Sequence, residues 1–356
     1  MTITYQTDLK NPPKREKTRS NFDPIVQPIE TIGGSARFPS YRRFFAAKMP
    51  GAMLAAERFY EKIDSFYGLE LTARFSQCRQ WSWYVRHKLT GHVRIASKQC
   101  RLRDCPMCGI ARMEFVAHQI LPWMIKAKNP KLLTLTIKHT DDPLIEQIEY
   151  LKKSFKKLRQ RKFWKDHVAG GFWFFQVTFN QKNKQWHVHL HIILDSTYML
   201  NIELQRLWRQ ITGSSFILKI NVIEDYAQCV KHHARYVARP LKLTDLPEDR
   251  WPEYYEAFNG IRLVTSFGSA RSVSLRPTRP DDADMWENVG DYTKVNMLKD
   301  DDDNARAIFD AHLFEIPLKP DINMNHIKSV FEDEPDKERA PPDWVTEPYF
   351  DYVQKT

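Results

Sequence analysis

Three histidines at alternate positions constrain the fold of this chain more than any other feature of its sequence. His187, His189 and His191 lie two residues apart in the segment 186–194, and the positions between and after them are aliphatic. This alternation predicts a β-strand with the imidazoles on one face and buried aliphatic side chains on the other. Neutral imidazole is the commonest nitrogen ligand of divalent metals. The segment therefore predicts part of a metal site, and a merely polar strand face is the plainer alternative.

A second strand, predicted at 171–180, precedes the histidine strand, and a short polar turn separates the two. If Asn180 pairs with Gln185 in a hairpin, then Gln176 lies opposite His189 on the histidine face. The amide oxygen of Gln176 is therefore a candidate third metal ligand.

The order of the predicted elements indicates the fold class. Strands are predicted at 131–139, 171–180, 186–194 and 216–223, and helices at 144–158 and 201–211. The order β-α-β-β-α-β is that of an α+β, ferredoxin-like antiparallel sheet with its helices on one face. The histidines would then lie on the open face.

A further helix is predicted at 224–239, ending at Pro240. His232 lies one turn before Tyr236 on this helix, so the two side chains can meet. Arg235 and Arg239 lie beside the tyrosine. A tyrosine on a helix is usually a core or surface residue, so the sequence pattern alone assigns it no chemistry.

Four of the five cysteines are clustered in the sequence before the predicted sheet. They are Cys78, Cys100, Cys105 and Cys108. The last three have the spacing C-x4-C-x2-C, and four cysteines suit tetrahedral Zn2+. Buried thiols without a metal are the alternative, and His87 or His92 could replace Cys78 as the fourth ligand.

Charge is distributed unevenly along the chain. Residues 281–356 contain 20 acidic and 8 basic residues, a net charge of −12, which leaves +22 for residues 1–280. The polar face of the helix at 144–158 and the residues after it are almost entirely basic, with Lys152, Lys153, Lys156, Lys157 and Arg159. A charged face is usually only solvated, but a face of one sign favours contact with DNA phosphates.

These patterns divide the chain into four regions. We expect a flexible basic arm at 1–50, a helical, zinc-binding module at 51–128, a catalytic domain at 129–275 and an acidic, largely disordered tail at 276–356. No apolar run is long enough to span a bilayer, and the first residues lack a secretory signal. We therefore expect a cytoplasmic protein with no membrane partner.

Three sequence blocks, in this order, resemble the rolling-circle replication initiators of small plasmids, which belong to the HUH endonuclease superfamily. The blocks are T-L-T at 134–136, W-H-V-H-L-H-I-I-L at 186–194 and R-Y-V-A-R-P at 235–240. The segment C-x-x-R-x-C-P-x-C at 100–108 also resembles the cysteine module that precedes the catalytic domain in one plasmid branch. The resemblance covers roughly residues 70–270.

The resemblance implies an HUH endonuclease fold and a chemistry. His189 and His191 would bind Mg2+ or Mn2+, with His187 and Gln176 as further candidate ligands. Tyr236 would attack the scissile phosphate, form a 5′-phosphotyrosine and release a 3′-OH primer. The DNA partner would be a replication origin, single-stranded or supercoiled. Because the sequence has no Walker motif, a host helicase would separate the strands and a host polymerase would extend the primer.

Some positions depart from the family pattern. His232 stands where related plasmid proteins often have a glutamate, Gln176 where some have glutamate, and Arg239 where some have lysine. No second tyrosine lies four residues from Tyr236, which favours a single-tyrosine enzyme. Three other readings stay open: a related HUH transposase or nickase, a zinc-containing DNA-binding regulator without catalysis, and a zinc hydrolase using the three histidines.

Overall fold

Eleven α-helices and eight β-strands make up the part of the chain that the computed structural model describes, residues 41–215, 217–238, 241–276 and 283–324. The helices are α1 (Tyr41–Lys48), α2 (Pro50–Tyr67), α3 (Leu71–Ser76), α4 (Pro106–Lys126), α5 (Leu144–Gln160), α6 (Lys162–His167), α7 (Asn201–Thr212), α8 (Tyr226–Ala238), α9 (Trp251–Phe258), α10 (Tyr292–Leu298) and α11 (Asp303–Phe314). The strands are β1 (Ser82–His87), β2 (Val93–Ser97), β3 (Pro130–Thr136), β4 (Val168–Asn180), β5 (Gln185–Ser196), β6 (Leu218–Val222), β7 (Val264–Gly268) and β8 (Trp286–Asp291).

The larger sheet has five strands in the order β6-β3-β5-β4-β7, and each neighbouring pair is antiparallel. Strand β3, helix α5, strands β4 and β5, helix α7 and strand β6 follow one another as β-α-β-β-α-β. This is the ferredoxin-like arrangement, and β7 extends it beside β4. The predicted α+β fold class is therefore confirmed.

The alternation along β5 gives the sheet two different faces. Val188, Leu190 and Ile192 are completely buried on one face and share a core with Leu151 of α5 and Trp208 of α7. Helices α5 and α7 cover this face because their apolar stripes can be buried there. The histidines of β5 lie on the opposite face.

The histidine face is only partly open. Phe172, Phe174 and Ile193 continue it beyond the histidines and are completely buried. Helices α4 and α8 cover them, with Val116 and Val230 in the same core. The expectation that helices pack on one face only is wrong at this end of the sheet. Burying these apolar side chains under α4 and α8 removes them from water, which stabilises the fold.

A smaller sheet, β2-β1-β8, joins the first part of the chain to the last described part. Strand β8 pairs with β1, and Val289, Val295 and Ile308 are buried in the main core. The predicted disordered tail from residue 276 is therefore wrong for residues 283–324. Among the described residues, no helix is both long and apolar enough to cross a membrane.

The acidic run that suggested a tail has a local structural role instead. It lies between α10 and α11, where Asp302 accepts a hydrogen bond from the backbone N–H of Ala305 and caps α11. Helix α1 lies within the predicted flexible arm, and its Tyr41 and Phe45 are buried. Residues 1–40 and 325–356 lie outside the described residues.

Candidate active site and metal centres

The β4–β5 hairpin has the predicted register. Asn180 lies opposite Gln185, so that Gln176 lies opposite His189 and Thr178 opposite His187. On its other side β5 pairs with β3, where Thr134 lies opposite His191. The histidines thus belong to a central strand whose position is fixed by hydrogen bonding on both sides.

Three potential ligand atoms meet on this face. The side-chain oxygen Oε1 of Gln176 is in hydrogen-bond contact with Nε2 of His189 and lies 2.6 Å from Nε2 of His191. His187 is not part of this meeting point. Its ring packs against the ring of His139, with 4.4 Å between the centroids. Of the predicted ligands, the structure therefore brings together His189, His191 and Gln176.

Burial keeps these imidazoles neutral. It is the main cause that lowers the pKa of His189 to about 4 and that of His191 to about 3, and neighbouring histidines contribute to both shifts. A neutral imidazole has a lone pair available for a cation. Nδ1 of His189 is buried without a hydrogen-bond partner. Two imidazole nitrogens and one amide oxygen fit a divalent cation such as Mn2+, which accepts both donor types.

Helix α8 places Tyr236 beside these donors. The ring of Tyr236 stacks on the ring of His191, with the two centroids 5.1 Å apart and the ring planes inclined by 12°. Its hydroxyl lies 3.3 Å from Nε2 of His232, as the spacing of one helical turn predicts. Burial raises the pKa of Tyr236, while the charge of Arg235 and a hydrogen bond with Gln176 oppose that effect.

His233 is a member of the site that the sequence pattern assigned only to packing. Its ring lies 5.0 Å from that of His191, and its Nδ1 is 2.7 Å from the carbonyl oxygen of Cys229. Burial lowers the pKa of His233 to about 4. Its position three residues before Tyr236, on the same side of the helix, was the available signal. Arg239, predicted to act beside Tyr236, lies outside the described residues.

The four clustered cysteines meet in a second, separate centre. Their sulfur atoms all lie within 4.8 Å of one another, and all four side chains are buried. Sγ of Cys78 lies 3.5 Å from Sγ of Cys108, so Cys78 completes the group. His87, considered as a replacement, instead contacts Thr90. The four cysteines can therefore bind a metal, and four sulfur ligands are typical of zinc.

The cysteine centre is joined to the tyrosine helix through packing. Cys105 lies at the N-terminus of α4, and Cys108 lies in its first turn. Further along, Met113 and Val116 of α4 share a core with Val230 and Ala234 of α8. A ligand that holds the cysteines therefore also fixes the helix on which α8 packs.

The predicted DNA-binding lysines lie elsewhere. Lys152, Lys153, Lys156 and Lys157 belong to α5, on the face of the sheet opposite the histidines. Lys153 pairs with Glu149 at 3.1 Å, and Arg159 lies over the ring of Phe155. Of the predicted basic contacts, Arg235 is the one that lies next to Tyr236.

Comparisons with known proteins relate this chain to a protein family. A family model described as replication protein matches residues 92–311. A protein named Protein rep from Bacillus amyloliquefaciens is 28% identical over 190 residues, which are 48% of this chain and 55% of the relative. A Protein rep from Streptococcus pneumoniae serotype 2 is 25% identical over 202 residues, which are 50% of this chain and 62% of the relative.

The chain thus spans less than two thirds of the length of either relative. No solved structure matches it significantly. The matched family region contains the histidine strand, Tyr236 and three of the four clustered cysteines, and only Cys78 precedes it. Because the family model covers more than half of the chain, the chain belongs to the family of replication proteins.

Proposed function

We propose that this chain is a plasmid rolling-circle replication initiator that nicks one strand of its origin DNA through Tyr236. The observation that carries the proposal is the stacking of Tyr236 on His191, with the tyrosine hydroxyl beside Gln176 and His232. This contact supports Tyr236 as the nucleophile and the atoms beside it as the proposed metal ligands. Phosphoryl transfer needs chiefly such positioning, together with neutralisation of charge.

In the proposed reaction, the phenolic oxygen of Tyr236 forms a bond to phosphorus as the bond from phosphorus to the 3′-oxygen breaks. His232 would accept the phenolic proton, a role supported by the 3.3 Å distance between its Nε2 and the hydroxyl. Burial and the charge of Arg235 lower the pKa of His232, which favours the unprotonated form of this base. The departing oxygen takes a proton from solvent and becomes the 3′-OH primer.

Two metals belong to the proposal. A divalent cation, Mn2+ or Mg2+, held by His189, His191 and Gln176 would offset charge on the scissile phosphate. Zn2+ held by the four cysteines would be structural, because four protein sulfurs complete a tetrahedral site. The partners would be origin DNA, a host helicase and a host polymerase that extends the 3′-OH.

A nicking assay tests the proposal. Supercoiled plasmid carrying the chain's own origin is incubated with the protein and Mn2+ or Mg2+, and relaxed product is measured on gels. We expect nicking by the wild-type protein and none by Tyr236→Phe. Tyr226→Phe, on the same helix, is the matched control and should nick normally. Binding without nicking under both metals would favour a regulator, and full activity of Tyr236→Phe would refute the proposed nucleophile.

A further inference from the structure

A pocket lined by arginines lies between the cysteine centre and the edge of the catalytic sheet. Its volume is about 240 Å³, and its polar lining consists of Gln99, Arg101, Arg103 and Arg112. Apolar residues 261 and 263, just before β7, close the other side. We call this the arginine pocket. Its lining includes no acidic side chain.

Two of the arginines are held in place by backbone carbonyls. Arg103 donates to the carbonyl oxygen of Ile261 at 2.8 Å. Arg112, on α4, donates to the carbonyl oxygens of Leu102 at 3.1 Å and Arg103 at 3.2 Å. A guanidinium has five N–H donors, so these bonds leave capacity for an anion. The arginines are thus preorganised and need not be ordered by a ligand.

The electrostatics of the pocket favour an anion. The guanidinium groups of Arg101, Arg103 and Arg112 line the same pocket. Collecting like charges in a partly buried pocket is unfavourable unless a negative charge offsets them. The thiolates of the cysteine centre are one such charge, since Cys108 also lines the pocket. The second possible source of negative charge is an anion that binds from solution. An experiment can distinguish these two sources.

Arg101 points to an external anion. Its side chain is exposed, and its backbone has φ 57°, a left-handed conformation that is uncommon outside glycine and asparagine. Exposure of this kind brings a positive charge to the mouth of the pocket, where solvent and ligands reach it. Charge compensation of a buried metal centre does not require an exposed guanidinium.

The pocket is adjacent to the strand that carries the ligand oxygen of the active site. The carbonyl oxygen of Leu263, which lines the pocket, accepts a hydrogen bond from the N–H of Phe175 at 3.1 Å. Gln176 is the next residue along β4. The pocket therefore lies at the β7 edge of the sheet that carries Gln176.

We infer that the arginine pocket binds a backbone phosphate of the single-stranded DNA that flanks the cleaved phosphate. The inference rests on the proposed function for the identity of the ligand, because it takes the anion to be part of the DNA substrate. Arginine is suited to this role, since its planar fork can donate two parallel hydrogen bonds to phosphate oxygens.

The test is the salt dependence of binding to a fluorescent single-stranded origin oligonucleotide, without added divalent cation. Arg101→Asn suits the left-handed backbone, and Arg112→Gln keeps two donors. Each should weaken binding and reduce the slope of log affinity against log salt by about 0.7, the value for one single-strand phosphate contact. Arg206→Asn on α7, outside the lining of the pocket, removes the same charge and should leave the slope unchanged.

A second readout excludes the competing explanation. Metal content of the cysteine centre is measured in each variant, and oligonucleotides carrying one neutral methylphosphonate at successive positions are compared. One position should weaken binding to the wild type and have no effect on Arg101→Asn. Equal losses at every position in both proteins, or an unchanged slope, would overturn the inference. Loss of metal with an unchanged slope would assign the arginines to the cysteine centre.

These outcomes are separable from the proposed function. If the protein nicks normally but Arg101→Asn leaves the slope of log affinity against log salt unchanged, the nickase proposal stands and the phosphate-binding role of the arginine pocket is refuted. If the protein never nicks but shows the expected slope change and methylphosphonate effect, the nickase proposal is refuted and the phosphate-binding role of the arginine pocket is supported.

Discussion

The histidine site and the cysteine centre are both clusters of potential metal ligands, and they differ in donor type, completeness and access. The cysteine centre has four buried sulfurs within 4.8 Å of one another. The histidine site has two imidazole nitrogens and one amide oxygen, with a half-buried tyrosine and an exposed histidine beside them. Four sulfurs complete a tetrahedral shell, whereas three donors leave coordination positions for a substrate.

This difference indicates that the two centres have separate roles, one in the stability of the fold and the other in the proposed reaction. The cysteine centre fixes the N-terminus of α4, and α4 packs on α8, so its effect on Tyr236 is indirect. The histidine donors contact Tyr236 directly through the ring of His191. Changes at the first centre should therefore alter folding and metal content, and changes at the second should alter rate in a folded protein.

The largest expected effect is the loss of one cysteine ligand. Cys105→Ser should release the metal and destabilise the fold severely, because binding of structural zinc contributes on the order of 10 kcal/mol. Metal analysis and thermal unfolding measure both effects. Cys229→Ser is the control, since Cys229 lies outside the cluster and should keep the metal. Normal metal content and stability of the Cys105→Ser protein would contradict the structural role of the cysteine centre.

The next effect separates the histidines from one another. His191→Ala should reduce the nicking rate about 100-fold or more, because a metal ligand contributes several kcal/mol to charge stabilisation. His187→Ala should reduce it less than tenfold, since the ring of His187 packs on His139 and not on Gln176. Rates at saturating Mn2+, with unfolding curves as controls, decide this. Equal losses in both variants would show that all three histidines act as ligands.

A smaller effect sharpens the role of the neutral amide. Gln176→Glu should strengthen activation by Mg2+ about tenfold, because a carboxylate is a better ligand for this cation than an amide. The concentration of Mg2+ that gives half-maximal nicking measures the change. Gln160→Glu, an exposed position at the end of α5, adds the same charge and should have no effect. A Gln176→Glu protein with unchanged metal dependence would exclude Gln176 from the metal site.

The smallest effect concerns acid stability without added divalent cation. Burial lowers the pKa of His189 and His233 in the folded protein to about 4, whereas a histidine in the unfolded chain has a pKa of about 6.5. Between these two pH values the unfolded chain therefore binds more protons than the folded protein. Stability should therefore fall as the pH drops from about 6.5 to 4. His189→Gln should flatten this dependence, and His118→Gln, at an exposed position, should not. Parallel curves of stability against pH for the wild type and His189→Gln would contradict this contribution of His189.

Local periodicity predicted the elements that build the histidine site. Strict alternation around His189 fixed its strand, and the short polar turn fixed the register that places Gln176 opposite His189. The spacing of one helical turn predicted the contact of His232 with Tyr236. Each of these is a short-range relation within one strand, one hairpin or one helix, so the sequence contains enough information to define it.

Relations between distant segments could not be predicted in the same way. The cover of Phe174 by α4 and the pairing of β8 with β1 depend on which apolar surfaces meet in three dimensions. An acidic run resembled a disordered tail, but the acidic residue Asp302 caps a helix there. The basic face of α5 predicted phosphate contacts, yet its helix packs on the face of the sheet away from Tyr236.

The most direct test of the central claim is identification of the residue linked to DNA. The wild-type protein is incubated with a single-stranded origin oligonucleotide and Mn2+, digested, and the DNA-linked peptide is sequenced by mass spectrometry. We predict one adduct, a phosphodiester on Tyr236, which requires the histidine site to be the reacting centre. An adduct on Tyr226 or on any other residue, or cleavage with no adduct, would contradict the account.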